Sequence, residues 1–118
     1  MRVHLTRRAL LDIDAIESYS VQQWGQRVAD SYLDGLNAGL QRLAESPGLL
    51  RERPGPSLRL RFYAVQRHVF VADVVGEHVY VLAVWHGSMD LAARLADLEP
   101  QLVYEAQLLH ARISRSGG

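Results

Sequence analysis

The chain reads as one α+β domain: an N-terminal strand, a two-helix hairpin, a three-stranded antiparallel β-meander joined into one small sheet, and a C-terminal helix. Three observations predict this. Apolar residues recur at three-to-four spacing in two successive stretches between Ala9 and Leu43. Three strand-like runs follow between Leu58 and Trp85, and a leucine stripe at helical spacing then runs from Leu91 to Ile113. With 118 residues, the chain is long enough for one modest core, which would bury roughly two thirds of the surface exposed on unfolding. The domain is expected over residues 1–113, with 91–113 as a helical extension and 114–118 as a disordered tail.

Each element has a local cause. Val3 and Leu5 alternate with Arg2 and His4, as in a short half-buried strand. Thr6 is placed to cap a first helix, with Asp12 and Asp14 near its positive end. Ala9, Ile13, Ile16 and either Tyr19 or Ser20 would face the core. Trp24-Gly25 breaks the pattern, and a second helix presents Val28, Ala29, Tyr32, Leu33, Leu36, Leu40 and Leu43 before stopping at Ser46-Pro47-Gly48. Pro54-Gly55-Pro56 marks the segment from Arg51 to Ser57 as a loop.

In the first run of the meander, Leu58, Leu60, Phe62 and Ala64 alternate with Arg59, Arg61, Tyr63 and Val65, giving an apolar and a mainly basic face. The next two runs, His68 to Val75 and His78 to Trp85, flank Gly76-Glu77, a two-residue hairpin signal. Both are apolar on both faces: Val69 and Val71 oppose Phe70, Ala72 and Val74, while Val79, Val81 and Ala83 oppose Tyr80, Leu82 and Val84. A sheet of this kind needs a cover on each side. The helical hairpin supplies one. The C-terminal stripe either supplies the other or is offered to another protein, and Glu99-Pro100 is a candidate helix restart.

Composition narrows the function. Hydrophobic residues make up 48% and charged residues 22% of the chain, as in an ordinary globular protein. No apolar run reaches the ~18 residues of a membrane span, and the start lacks the apolar centre of a signal peptide, so a cytoplasmic address is expected. Without cysteine there is no disulfide, thiolate ligand or thiol nucleophile. Thirteen basic residues, all arginine, balance thirteen acidic ones, which argues against a protein that works chiefly by neutralising phosphates. No metal or cofactor is expected, because His4, His68, His78, His86 and His110 show no ligand spacing. His86, Ser88 and Asp90 have the chemistry of a nucleophilic triad, but residues two apart on one corner rarely converge that way. Asp90 as a helix cap and His86 as a local acceptor is the simpler expectation.

Taken in order, Tyr19-Ser20 with Trp24-Gly25, then Leu43-Ala44-Glu45-Ser46-Pro47-Gly48, Arg61, His68-Val69-Phe70 and His86-Gly87-Ser88-Met89-Asp90, the chain resembles the ParE branch of the RelE/ParE toxins of type II toxin–antitoxin systems. The resemblance covers roughly residues 2 to 92. It implies a toxin that binds DNA gyrase and traps cleaved DNA, neutralised by a cognate ParD-like antitoxin whose C-terminal segment folds on the toxin. Operator DNA would be met only through the antitoxin, and a homodimer and a heterotetramer with the antitoxin both fit. The RelE-like branch, of ribosome-dependent mRNA endonucleases, carries two arginines and a tyrosine where this chain has Val69, Met89 and Leu95. None of those three can transfer a proton or hold a phosphate, so no catalytic residue is assigned. An mRNA endonuclease using Arg59, Arg61, Arg67 and His86 is the alternative, and a degenerate toxin that binds antitoxin but has no target is a third.

Two residue sets follow from the resemblance together with chemistry. Arg59, Arg61, Arg67, Trp85, His86 and Met89 are the candidate target contacts. Tyr19, Trp24, Tyr32, Val69, Val71 and Tyr80 are the candidate antitoxin contacts.

Overall fold

The computed structural model describes residues 1–52 and 59–115. Its elements are β1 (Arg2–Leu5), α1 (Arg7–Trp24), α2 (Gln26–Glu45), a short 3-10 turn (Pro47–Leu49), β2 (Arg61–Val65), β3 (His68–Val75), β4 (His78–His86) and α3 (Leu91–Arg115). The four strands form one sheet in the order β1-β4-β3-β2. The meander is antiparallel as expected, and β1 joins its far edge parallel to β4.

The hairpin follows from its caps. Thr6 Oγ1 accepts from the Ala9 N–H at 3.2 Å and donates to the Leu82 carbonyl, so one hydroxyl caps α1 and ties it to β4. α1 ends at Gly25, whose φ of +86° is open to glycine and strained for other residues. α2 then runs back along α1 and packs closely on β2 at Gly39. A Cβ there would lie 2.8 Å from a Val65 methyl.

The sheet is buried on both sides. On the hairpin side lie Val65, Phe70, Val81 and Val84 with Ala9 and Leu36, continued by Ala72 and Val79 against Leu43. On the opposite side Leu60, Phe62, Val69, Val71, Tyr80, Leu82, Ala83 and Trp85 meet Leu91, Leu95, Leu102 and Ala106 of α3. The C-terminal stripe is therefore a cover for the sheet. α3 is held at its edges by Arg8, whose guanidinium forks onto the Glu105 carboxylate at 2.8 and 3.0 Å, and by a hydrogen bond between Tyr80 Oη and His110 Nδ1.

Several sequence expectations are corrected. Ala83 and Val84 lie on faces opposite to those expected, because Val71 pairs with Ala83 and Ala72 with Val81, leaving Leu82 as an extra residue in β4. A β-bulge of this kind shifts the alternation by one position. The second face of β2 is not a basic solvated surface: Tyr63 and Val65 pack toward the hairpin, while Ala64 is exposed. Leu58 and the Pro54-Gly55-Pro56 segment lie outside the described residues. Pro100 does not restart the helix, since α3 runs through it unbroken. α3 also continues through Ser114 and Arg115, two residues beyond the expected end, and 116–118 lie outside the described residues. Asp12 does not serve the α1 N-terminus; its carboxylate accepts from the Val84 N–H at 2.9 Å.

Leu102 is fully buried between α3 and the sheet. Leu102→Ala is expected to lower the free energy of unfolding by ~2–5 kcal/mol, read from the urea midpoint. A loss below ~1 kcal/mol would show that α3 is not a layer of the core.

Candidate partner-binding groove

The hairpin near its bend, the β2–β3 turn and the corner after β4 enclose a groove of about 940 Å³. One wall is α1, through Ala15, Ile16, Tyr19 and Ser20, and the hairpin bend and α2 continue it with Trp24, Val28 and Tyr32. The facing side carries Arg67, His68, Trp85, His86 and Met89, and Arg94 enters from the first turns of α3. Two hydrogen bonds hold these parts in place. The Gly87 N–H donates to the Arg67 carbonyl at 2.8 Å, joining the corner to the β2–β3 turn, and Asp90 caps α3 by accepting from the Ala93 N–H.

The groove is lined with exposed apolar groups. Tyr19 is 57%, Trp24 52%, Val28 48% and Met89 37% exposed, and the Tyr19 and Trp24 rings meet edge to face at 5.7 Å. Single exposed apolar side chains are ordinary, but a contiguous set in a concavity marks a site of association.

Its titratable groups are already engaged. The Tyr32 hydroxyl accepts from the Arg67 N–H at 3.2 Å and pairs with His68 Nδ1 at 2.6 Å. With a neutral His68 the hydroxyl donates to Nδ1, so the ring proton is on Nε2. His86 Nδ1 accepts from both the Ser88 N–H and the Ser88 hydroxyl, at 3.1 and 2.7 Å. Asp12 is tied to Val84, and burial raises its pKa above the ordinary carboxylate value. His68 is held below the ordinary histidine value by burial first and then by His86, whose ring lies 5.2 Å away. Asp90 caps a helix and Ser88 bonds within its own turn, so the three triad ingredients are spent on local structure.

The two predicted residue sets are redistributed. Tyr19, Trp24 and Tyr32, taken as antitoxin contacts, share the groove with Arg67, Trp85, His86 and Met89, taken as target contacts. Val69, Val71 and Tyr80 lie at 2%, 0% and 0% exposure beneath α3, so they are core residues while α3 is in place. Arg59 and Arg61 are at the opposite end of the sheet from the corner. Arg59 grips the buried Asp73 with its Nη2 2.7 Å from Oδ2, and Arg61 pairs with Glu52 at 3.1 Å. Sequence reasoning missed Asp12 and Arg94 as groove residues. No local pattern marks them, because the first is placed by helix packing on β4 and the second by the docking of α3.

A second polar cluster sits at the β1–β4–α3 seam. His4 Nε2 and His78 Nδ1 are 2.9 Å apart, and both rings stack near Tyr80. No group of His, Cys, Asp or Glu among the described residues is arranged to hold a metal ion.

The chain thus sets a two-helix hairpin on a small sheet, with an apolar groove beside the corner after the last strand. The model for the ParE toxin of the type II toxin–antitoxin system parDE matches residues 3–91. Toxin ParE1 of Caulobacter vibrioides is 40% identical over 93 residues, 77% of this chain and 94% of that protein. Toxin ParE of Escherichia coli is 34% identical over 94 residues, 79% of this chain and 91% of that protein. The chain therefore belongs to the ParE toxin family. A solved structure of a chromosomal ParDE toxin–antitoxin system from P. aeruginosa superposes with a TM-score of 0.65 at 20% identity, covering 73% of this chain and 95% of that one, which shows the shared fold. The family match stops at Leu91, so α3 beyond its first residue lies outside it.

The neutral His68 acceptor gives the groove a pH dependence. The folded pKa lies below the ordinary 6.5, so the unfolded chain takes up its proton at a higher pH than the folded one. The stability contributed is complete above the unfolded value and is lost as pH falls through the folded value. The thermal midpoint is expected to fall between about pH 7.5 and about pH 5, and His68→Gln should reduce the slope. An unchanged slope in the variant would remove His68 from this role. His4, lowered by burial first and then by His78, Arg2 and His110, contributes in the same direction.

Proposed function

We propose that this ParE-family toxin acts by stoichiometric binding to DNA gyrase, and that a ParD-like antitoxin neutralises it by laying an amphipathic segment in the groove between the hairpin and the β4 corner. The observation that carries this reading is the groove itself. It presents Tyr19, Trp24, Val28 and Met89 exposed in a concavity, and apolar anchors at helical spacing are the usual occupants of such a surface.

Absence of catalysis is supported by the state of the polar groups. Val69 and Leu95 are in the core, where they can neither move a proton nor steady a phosphate. His68 is engaged with the Tyr32 hydroxyl, His86 with Ser88, and Asp12 with the Val84 N–H. No helix among the described residues is long and apolar enough to cross a membrane, and gyrase as target goes with a cytoplasmic site of action.

Purified protein added to gyrase and relaxed plasmid is expected to suppress supercoiling and to accumulate linear DNA, leaving ribosome-bound mRNA intact. Cleavage of mRNA at the ribosomal A site with gyrase untouched would replace this reading with the endonuclease one. Silence in both assays would leave a toxin without a target.

A further inference from the structure

The geometry points to Arg67 and Arg94 as the residues that select the occupant of the groove, which is a protein segment carrying carboxylates beside its apolar anchors. This rests on the proposal that the groove receives a partner's amphipathic segment, and it specifies that segment's chemistry.

The whole chain is electrically neutral, with thirteen basic and thirteen acidic residues, yet the groove is not. Its charged lining residues are Arg67, Arg94 and Asp12. Asp12 is half-buried and its carboxylate is committed to the Val84 N–H. Arg67 and Arg94 are exposed and neither forms an ion pair with a carboxylate among the described residues, although the Arg94 charge also acts on Asp12. His68 and His86 add no negative charge at any pH. A ligand seated on the aromatic floor thus meets a rim with net positive potential.

Arg94 is also pre-positioned. Its guanidinium lies 5.8 Å from the centroid of the Trp85 ring, within the range of a cation–π contact. A cation–π contact does not consume the N–H donors of a guanidinium, which can still capture a carboxylate in a bidentate fork. Because Arg94 belongs to α3 beyond the family match, this side of the selectivity comes from the segment in which the chain extends past the matched region. Rim charges of this kind set partner choice and rate of encounter more than total affinity.

Single-stranded RNA also pairs arginine with stacked aromatics. Two arginines set against Asp12, on a floor that includes Ala15, Ile16, Val28 and Met89, suit a peptide's aliphatic side chains better than a phosphate backbone, which calls for a longer basic track.

The test is selection. A library of randomised peptides of about 16 residues, roughly four helical turns, is panned against the wild-type chain and against the Arg67→Glu, Arg94→Glu double variant. Groove-directed binders are recognised by their loss on Trp24→Ala. Since all three side chains are exposed, melting curves of the variants should match wild type. Wild-type groove binders are expected to be enriched in Asp and Glu beside apolar anchors and to bind the double variant about tenfold more weakly, ~1.4 kcal/mol. Binders selected on the double variant should be enriched in Lys and Arg. Groove binders with no acidic enrichment, equally tight on both proteins, overturn the selectivity and leave the groove as a docking site. Failure to obtain any groove binder overturns both. A single-stranded RNA of about ten nucleotides that binds wild type and is lost on the double variant overturns the choice of a protein occupant.

Discussion

Everything in this molecule depends on a sheet whose central strands are apolar on both faces. β3 and β4 carry Val69, Phe70, Val71 and Ala72, and Val79 to Trp85, without a solvated face between them. A strand pair of that composition is stable only between two layers. The hairpin α1–α2 covers one side and α3 the other, so the positions of both follow from the sheet. The groove is a by-product of how this is done. The hairpin leaves a groove at the end where β4 runs out into His86-Gly87-Ser88, and Tyr19, Trp24 and Tyr32 line it.

The core elements were legible in the sequence because hydrophobic period and capping chemistry agree there. Thr6, Gly25, Gly76 and Asp90 each stand where backbone geometry calls for that residue type, and each performs the expected task. What was not legible depends on three-dimensional register. The bulge at Leu82 leaves no mark in a run of apolar residues, yet it exchanges the faces of Ala83 and Val84. Pro100 signalled a break because proline removes a backbone donor and crowds the preceding turn, but the leucines on both sides of it belong to one stripe, and packing of that stripe on the sheet keeps the helix whole. Asp12 was read from its distance to a helix end, while its partner, Val84 N–H, lies 72 residues away in sequence.

The candidate site shows the same division. Tyr19 and Trp24 were singled out by the family resemblance, His86 and Met89 by the corner after the last strand, and all four line the groove. Their grouping into two surfaces was not warranted by spacing, since only the fold shows that the hairpin bend and the β4 corner face each other. Val69, Val71 and Tyr80 lie buried beneath α3 for a physical reason. On a sheet covered on both sides, an apolar side chain on a central strand belongs to the core.

The histidines, Ser88, Asp12 and Asp90 at the groove are engaged in hydrogen bonds within the fold. A catalytic histidine must exchange a proton with a substrate, so at least one ring nitrogen has to face it while the other is oriented by a partner. In the groove, the His86 nitrogen that is oriented is oriented by Ser88, the hydroxyl that a nucleophilic mechanism would have it activate. Ser88 in turn sits two residues along the same turn and is exposed, and Asp90 is turned toward the α3 N-terminus. The serine, histidine and aspartate thus stabilise a corner that carries Met89 and leads into Arg94. Their hydrogen bonds fix the shape of the groove's edge, and the side chains beside it that are not tied into those bonds are the aromatic rings, Met89 and the two arginines.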